Sequence, residues 1–414
     1  MAFPAKDVQI IRGLAARVAE IAAEPIHAKR AAMWTRFNRL EPDRPMVLIF
    51  PEGSWRELLP DNQLQCTDKA CIDIERDLRH RIYYWEHLQD DNVVSGEIVC
   101  GVAWSTTGWG VNVQRTKSDD PLGAYHFEPV IKSDEDLDKI QLPKVTVDRA
   151  ATERRYQQLC DLFDGILPVM KKGATYSRIA PVDMFSQWVG LEQLLWAMMD
   201  RPEWVHRGLQ RIMDGFLSIL DALVKENALG LNNGADYCGS GGVGYSDELP
   251  QPDFDGEHVR PMDMWGFCTT QIFSEVSPAM HDEFALHYEK QWLTCFGLNA
   301  YGCCEPLHKK LDYVKQIPRI RRISMSPWID PVEGARQLED KYVFSYKPNP
   351  AVVAGVGWDT EDVRRGIRKF LEQTRGCVVE MVLKDTHTCA HHPERMWDWT
   401  RIAKEEAERF AELM

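Results

Sequence analysis

The chain has 414 residues, of which 44% are hydrophobic and 27% are charged, a balance typical of a globular protein with an ordinary core. With 63 acidic and 49 basic residues its net charge is −14, which argues against binding to nucleic acid or to an anionic membrane surface. No apolar stretch approaches the ~20 residues needed to cross a bilayer, and no signal peptide is recognisable, so we expect a cytoplasmic protein.

The N-terminal part of the chain predicts helices followed by a strand. Amphipathic segments at 7–23 and 25–40 indicate two helices, which we assign to a helical extension over residues 1–44. The apolar run at 46–50 is typical of a strand buried on both faces, as in a parallel sheet. We therefore begin the main domain at residue 45 and extend it to residue 414.

Helical and strand-like segments alternate along the rest of the chain. Residues 96–143 interrupt this pattern, and we interpret them as an inserted β-hairpin or lid. The glycine-rich segment 239–244 lacks the order of a dinucleotide-binding fingerprint, which predicts a mobile loop instead. The alternation predicts a parallel α/β fold. Further helices are expected at 69–88, 149–163, 190–226 and 397–413, and further strands at 92–94, 177–180, 228–233, 298–302, 320–324, 342–346 and 377–383.

Three short motifs occur in order between residues 190 and 305. They are GLEQLLWAMMDRPEWVH at 190–206, SPAMHDEF at 277–284 and YGCCE at 301–305. The first two resemble the "G-x-E … D-x-P-E" helix pair and the "S-P-E-M" segment of the uroporphyrinogen-decarboxylase superfamily. The third lies where the zinc-dependent members of that superfamily carry His-x-Cys-Gly. The resemblance implies a (β/α)8 TIM barrel.

The adjacent thiols of Cys303 and Cys304 indicate metal chemistry. Followed by the carboxylate of Glu305, they offer soft and hard ligands for Zn²⁺ within three residues at a strand end, where barrel active sites lie. Neighbouring strand residues point to opposite faces, so a regular strand would direct only one thiol inward. The alternative is that the thiols are simply small buried apolar groups.

A second cluster, DTHTCAHH at 385–392, follows the last apolar strand. The methyltransferase branch of the superfamily carries its last zinc-binding Cys four residues beyond that strand. The resemblance therefore implies His387 as a ligand, with Cys389 two residues further on. Imidazole and thiolate both suit zinc. The chain departs from the family pattern here, and also at Tyr301, which stands in place of the first His.

Other polar residues are expected after strands or in loops, where barrels gather function. We assign Asp236 a catalytic role alongside Glu305. Each candidate is otherwise explained as a helix cap, an ion pair or a turn residue. The residues that we expect to bind substrate are Asp183, Gln271, Glu275 and Lys347.

Joined to these two clusters, the resemblance implies a zinc-dependent methyltransferase with one Zn²⁺ per chain. It would move a methyl group from a small donor, such as a methoxylated aromatic, to a corrinoid. The chain has no D-x-H-x-x-G motif for binding cobalt, so a separate corrinoid protein is the expected transient partner.

Two other functions remain open. The first is a metal-free decarboxylase of the uroporphyrinogen-decarboxylase type that acts on a small carboxylated substrate. A tetrapyrrole is disfavoured, because residues 50–56 lack the arginine-rich stretch of the true decarboxylase. The second is a barrel that binds a metal or a corrinoid protein without turnover.

Overall fold

The computed structural model describes residues 3–117, 123 and 125–413. Helices and strands alternate along most of this range. Its strands are β1 (Met46–Ile49), β2 (Ile98–Gly101), β3 (Trp104–Thr106), β4 (Gln114–Lys117), β5 (Tyr125–Glu128), β6 (Val145–Val147), β7 (Val169–Lys172), β8 (Arg178–Ile179), β9 (Trp265–Cys268), β10 (Leu298–Tyr301), β11 (Ile320–Met325), β12 (Val343–Tyr346) and β13 (Val378–Leu383).

The helices lie mainly between these strands in the sequence. They are α1 (Ala5–Ala22), α2 (Pro25–Asn38), α3 (Trp55–Leu58), α4 (Lys69–Tyr83), α5 (Asp134–Leu137), α6 (Arg149–Phe163), α7 (Pro181–Val189), α8 (Leu191–Asp200), α9 (Pro202–Lys225), α10 (Pro278–His281), α11 (His287–Leu293), α12 (Leu311–Val314), α13 (Pro331–Leu338), α14 (Ala351–Ala354), α15 (Thr360–Gln373) and α16 (Glu394–Glu412).

Seven strands form one parallel sheet in the order β1-β13-β12-β11-β10-β9-β8. Strands β1, β9, β10 and β13 are buried along their whole length, because both faces of the sheet are covered. This confirms the prediction of a parallel α/β fold. Hydrogen-bonded pairing in the described residues does not close the sheet into a ring, since β1 and β8 remain its edges.

The strand predicted at 92–94 is wrong, and the reason is local. Buried carboxylates take the place of a neighbouring strand: Asp91 Oδ2 accepts the Val47 N–H at 2.9 Å and Asp90 Oδ2 accepts the Ile49 N–H at 3.1 Å. Only one backbone bond, from the Asp91 N–H to the Val47 oxygen at 2.9 Å, joins this segment to β1.

The strand predicted at 228–233 is also wrong, whereas β9 was not predicted. Leu229 forms a single isolated bridge with Ala174. The neighbouring residue Gly230 packs so closely on Gly173 that a Cβ would lie 2.6 Å from the Gly173 oxygen. This tight crossing of two glycines stands where a strand was expected.

The glycine-rich segment expected to be a mobile loop is buried against the sheet. A Cβ at Gly241 would lie 3.0 Å from the Val382 side chain, and one at Gly242 would lie 2.6 Å from the Arg322 guanidinium. Gly242 also has a φ of +78°, a backbone angle that residues with a side chain rarely adopt. The glycines therefore allow this loop to pack on the face of the sheet that carries Arg322 and Val382, here called the inner face.

A buried ion pair crosses the inner face. Arg322 Nε lies 3.0 Å from Glu380 Oε1, and the two side chains are 1% and 0% exposed. Arg322 Nη2 also donates to Asn38 Oδ1 at 2.7 Å, and Ser345 Oγ donates to Glu380. The pair links β11 and β13 to the end of α2.

The N-terminal helices pack in two different places. Helix α1 forms a small separate core with α4, α6, β2 and β7. Helix α2 instead buries Trp34 and Phe37 beside Met46 and Leu48 of β1. Within the segment 96–143, β4 and β5 form an antiparallel pair, and part of the chain between them lies outside the described residues.

Candidate active site

A cavity of about 360 Å³ lies at the carboxyl ends of the parallel strands. Residues after β1, β9, β10 and β13 reach it, together with the glycine-rich loop. Active sites of parallel α/β folds collect at this end, because each strand delivers a side chain to the same edge. The polar side chains that line it are Glu52, Arg178, Tyr237, Ser240, Thr269, Gln271, Cys303 and Lys384.

The two adjacent thiols lie side by side at the end of β10. Cys303 Sγ is 3.5 Å from Cys304 Sγ, and Cys303 lines the cavity. The turn through Gly302 at a φ of +87° breaks the strand alternation, which allows neighbouring side chains to approach each other. A hydrogen bond from Cys304 lowers the pKa of Cys303 to about 6, with Lys384 adding to the effect and burial opposing it.

The charge of this thiolate is matched by Lys384, the first residue after β13. Lys384 Nζ lies 3.6 Å from Cys303 Sγ and 3.0 Å from Asp385 Oδ1. Although burial opposes it, the Cys303 thiolate and Asp385 raise the pKa of Lys384. Asp385 Oδ2 in turn lies 3.7 Å from Cys304 Sγ. Glu52 lines the same cavity, and burial raises its pKa.

Glu305 fixes the backbone of the thiol turn. It is fully buried, and its Oε2 accepts the Cys303 N–H at 2.9 Å. Its Oε1 accepts a hydrogen bond from Thr269 Oγ1 at 3.0 Å. The Glu305 carboxylate therefore connects the end of β9, through Thr269, to the end of β10, through Cys303. Both of these residues line the cavity. Glu305, predicted to be catalytic, is thus positioned to hold the loop that carries Cys303.

The four predicted substrate-binding residues lie in different surroundings. Gln271 lines the cavity. Asp183 accepts the backbone N–H groups of Gln271 and Ile272 at 3.4 and 3.3 Å, and burial raises its pKa to about 6 with Glu305 adding repulsion. Glu275 is exposed.

Lys347 and Asp236 do not line the cavity. Lys347 is buried, and its Nζ donates to the Ser345 backbone oxygen at 3.0 Å. Burial lowers the pKa of Lys347 to about 8. Asp236, predicted to be catalytic, forms an ion pair with Lys172, its Oδ1 2.7 Å and its Oδ2 2.6 Å from Nζ.

The two predicted metal ligands after β13 are not joined to the thiol pair. His387 is exposed. Cys389 is buried, and its Sγ lies 3.0 Å from Glu57 Oε2 in a hydrogen bond. Burial and this carboxylate raise the pKa of Cys389 to about 12. The structure thus brings together Cys303 and Cys304 of the four predicted ligands.

The described residues do not form a ready zinc site. Across residues 3–117, 123 and 125–413, no group of three or more His, Cys, Asp or Glu side chains is arranged to hold a metal ion. Cys303, Cys304 and Asp385 are donor types that zinc uses. However, the ammonium of Lys384 lies against Cys303 Sγ, so these residues as folded do not fit the ion.

Tyr301, which replaces the first His of the family motif, belongs to a buried hydrogen-bond chain. Its OH donates to Glu289 Oε2 at 2.7 Å and lies 2.7 Å from His281 Nε2. Lys310 Nζ lies 3.2 Å from His281 Nδ1 at the other end. Burial raises the pKa of Glu289 to about 8 and lowers that of Lys310 to about 8. Thr270 Oγ1 also donates to Glu289, at 2.8 Å.

Sequence reasoning missed Lys384, Glu52 and Arg178. Lys384 and Glu52 each lie within three residues of the end of a strand that was predicted, which was the available signal. In the sequence, Lys384 and Glu52 looked like ordinary charged surface residues, so neither was assigned to the site. Arg178 lies in β8, over the Phe267 ring with its Cζ 4.8 Å from the ring centre, and contributes a second cation to the cavity.

None of the helices in the described part of the chain is both long and apolar enough to cross a membrane. The fold and the position of the cavity define an α/β protein with a parallel sheet and a site at the carboxyl ends of its strands. Over 92% of its length, the chain aligns in three dimensions with 98% of a methyltransferase from Methanosarcina mazei, with a TM-score of 0.51 and 10% sequence identity. This likeness establishes a shared fold. No protein-family model and no curated protein matches the chain.

Proposed function

We propose that the chain is a cytoplasmic methyltransferase whose active site is the cavity beside Cys303. The observation that carries the proposal is the contact between Cys303 and Lys384 at the carboxyl ends of the strands. A thiolate held in a cavity by a cation is a reactive group that a purely structural cysteine does not need. The family resemblance supplies the reaction type.

The substrate in this proposal is a small methyl donor such as a methoxylated aromatic. The cavity of about 360 Å³ is of a size that encloses a small molecule. As the methyl carbon leaves, the electron pair of its bond remains on the ether oxygen. That oxygen needs a proton, and Glu52 is suited to supply it because burial raises the pKa of this carboxyl group. Arg178 and Gln271 orient the rest of the donor.

The methyl acceptor in this proposal is a corrinoid on a separate protein. One zinc ion per chain completes the proposed active site. Both come from the family resemblance. Cys303 and Cys304 are the two proposed ligands whose sulfur atoms lie together, 3.5 Å apart, and zinc would have to displace the Lys384 ammonium to bind them. Because the folded residues do not form a complete site, we derive no step through the metal.

The alternative is a metal-free decarboxylase for a small carboxylated substrate. The observation that favours it is the pair of cations in the cavity, Arg178 and Lys384, which suits a carboxylate. In such a reaction Lys384 would bind the carboxylate rather than stabilise the Cys303 thiolate.

One experiment separates the two functions. Reduced protein is incubated with a panel of methoxylated aromatics and cob(I)alamin as a soluble acceptor, and methylcobalamin is followed by its absorbance. A parallel series of carboxylated aromatics without cobalamin is followed by release of CO₂. Methylcobalamin formation supports methyl transfer. Release of CO₂ without methyl transfer would replace the proposal with the decarboxylase.

A further inference from the structure

The thiol pair of Cys303 and Cys304 has a geometry that a regular strand does not allow. Neighbouring residues of a strand point to opposite faces, which keeps their side chains apart. Here the turn through Gly302 is followed by a bend that leaves Cys303 Sγ 3.5 Å from Cys304 Sγ. A disulfide bond is about 2.0 Å long, so small rotations of the two side chains are enough to join the sulfur atoms. All 11 cysteines of the chain are free thiols, and the pair is therefore reduced.

The cavity gives a small oxidant access to the thiol pair. Cys303 lines the cavity of about 360 Å³, and Cys304 is half-buried. Hydrogen peroxide is little larger than water and fits easily into a space of this size. Cysteines that are readily oxidised are accessible to solvent and lie next to a second thiol that captures the first oxidation product. The thiol pair meets both conditions.

The surroundings give the two sulfur atoms different roles. Lys384 Nζ lies 3.6 Å from Cys303 Sγ, and a neighbouring cation favours the thiolate, which is the form that attacks peroxide. Cys304 Sγ instead donates to Asp385 Oδ2 at 3.7 Å, so it retains its proton. Cys303 is therefore the sulfur that is oxidised first, and Cys304 is the thiol that reacts with the product.

We infer that the thiol pair is a modification site at which hydrogen peroxide forms a disulfide between Cys303 and Cys304. In the first step the Cys303 sulfur bonds to one peroxide oxygen, the O–O bond breaks, and the second oxygen leaves as hydroxide. In the second step the Cys304 sulfur attacks the resulting sulfenic acid, whose oxygen leaves as water with the Cys304 proton. Counted from two thiols, one disulfide forms and one peroxide is reduced to two waters.

The adjacency of the two residues makes this modification reversible. The Cα atoms of neighbouring residues are about 3.8 Å apart across a trans peptide. Most disulfides span Cα distances of about 4.4–6.8 Å, so a bond between neighbours is strained and easily reduced. The disulfide removes the Cys303 thiolate from the cavity, and reduction restores it. The site thus controls any chemistry that needs this sulfur, and the inference does not depend on the proposed methyl transfer.

Mass spectrometry of one tryptic peptide tests the disulfide. Trypsin releases residues 291–309, which contain the thiol pair and Cys295. The protein used is the variant Cys295→Ser, so that this peptide holds no third thiol. It is reduced, freed of metal with a chelator and treated with hydrogen peroxide. The peptide should become lighter by two hydrogen atoms and resist iodoacetamide, and dithiothreitol should restore both reactive thiols.

Two results of this experiment would overturn the inference. One is a peptide that still takes two iodoacetamide labels after peroxide, and the other is an oxidised Cys303 beside an alkylated Cys304. Cys377 is the matched control in the same digest, because it is also half-buried, donates to the Ala335 backbone oxygen and does not line the cavity. It should be oxidised about tenfold or more slowly than the thiol pair, and equal rates would show that the pair is no special site.

A second variant tests the role of Cys304. Cys304→Ala, made in the Cys295→Ser protein, leaves Cys303 without a neighbouring thiol. Peroxide should then carry Cys303 beyond the sulfenic acid to the sulfinic acid, which dithiothreitol does not reduce. Recovery of the Cys303 thiol by dithiothreitol as complete as in the parent protein would overturn the role of Cys304. Thermal unfolding checks that both proteins remain folded.

Discussion

Lys384 Nζ lies 3.6 Å from Cys303 Sγ, although the two residues are 81 positions apart in the sequence. The contact exists because β10 and β13 end at the same edge of one parallel sheet. It joins a thiol that the sequence singled out to a lysine that it did not, and it defines the chemical centre of the cavity.

The first prediction concerns the acidity of Cys303. In zinc-free protein its alkylation by iodoacetamide should follow a pKa of about 6, because Cys304 and Lys384 stabilise the thiolate. Cys304→Ala and Lys384→Gln should each raise that pKa, with the larger change in Cys304→Ala. Mass spectrometry of the Cys303 peptide over a pH series measures it. Lys341→Gln, at an exposed ion pair, is the control, and an equal pKa in all variants would contradict the arrangement.

The second prediction concerns the buried pair of Arg322 and Glu380. Glu380→Ala should lower the free energy of unfolding by about 3–5 kcal/mol, because it leaves the Arg322 guanidinium buried without its counter-charge. The double variant Arg322→Met/Glu380→Leu should recover much of this loss. Urea unfolding measures both proteins. A double variant less stable than Glu380→Ala would show that the cost lies in packing rather than in the unpaired charge.

The third prediction concerns the pH dependence of stability through Glu289. Burial raises the pKa of this carboxyl group to about 8 in the fold, against about 4.5 when unfolded. The folded state therefore holds a proton that the unfolded state releases, and this contribution is lost as pH rises from 4.5 through 8. Glu289→Gln, which cannot ionise, should gain stability relative to the wild type between pH 5 and pH 8. A difference between the two proteins that is constant over this range would contradict the raised pKa.

The fourth prediction concerns zinc. The proposed zinc ion would have to displace the Lys384 ammonium from Cys303 Sγ, and elemental analysis should then find about one zinc per chain in the wild type. Cys303→Ser and Cys304→Ser should lose it. Cys389→Ser should retain it, because the Cys389 thiol is engaged with Glu57. No zinc in the wild type, even after zinc is added to reduced protein, would remove the metal from the proposal and leave the thiolate site to be tested by activity.

Some of the predicted strands share one property. Continuous apolar runs such as those of β1 and β13 are buried on both faces, so composition alone identifies them. The segment at 92–94 was wrongly predicted to be a strand. The side chains of Asp90 and Asp91 form hydrogen bonds with β1 in place of a strand backbone. Hydrogen bonds made by side chains in place of a strand backbone leave no periodic pattern in the sequence.

The site was only partly predictable for a related reason. Cys303, Cys304 and Glu305 are adjacent in the sequence, so the cluster was visible before its structure. Lys384 and Glu52 become part of it only because the sheet brings distant strand ends together. His387 follows the same strand as Lys384 but is exposed, since the turn after β13 directs it away from the cavity.

The most direct test of the account is the rate of methylcobalamin formation in the variant Cys303→Ser. Cys295→Ser is the control, since the Cys295 thiol donates only to the Gln291 backbone oxygen and does not line the cavity. The account predicts that Cys303→Ser loses about a hundredfold or more of the rate while Cys295→Ser retains it. Equal rates in Cys303→Ser and in the wild type would contradict the central claim that methyl transfer takes place in the cavity beside Cys303.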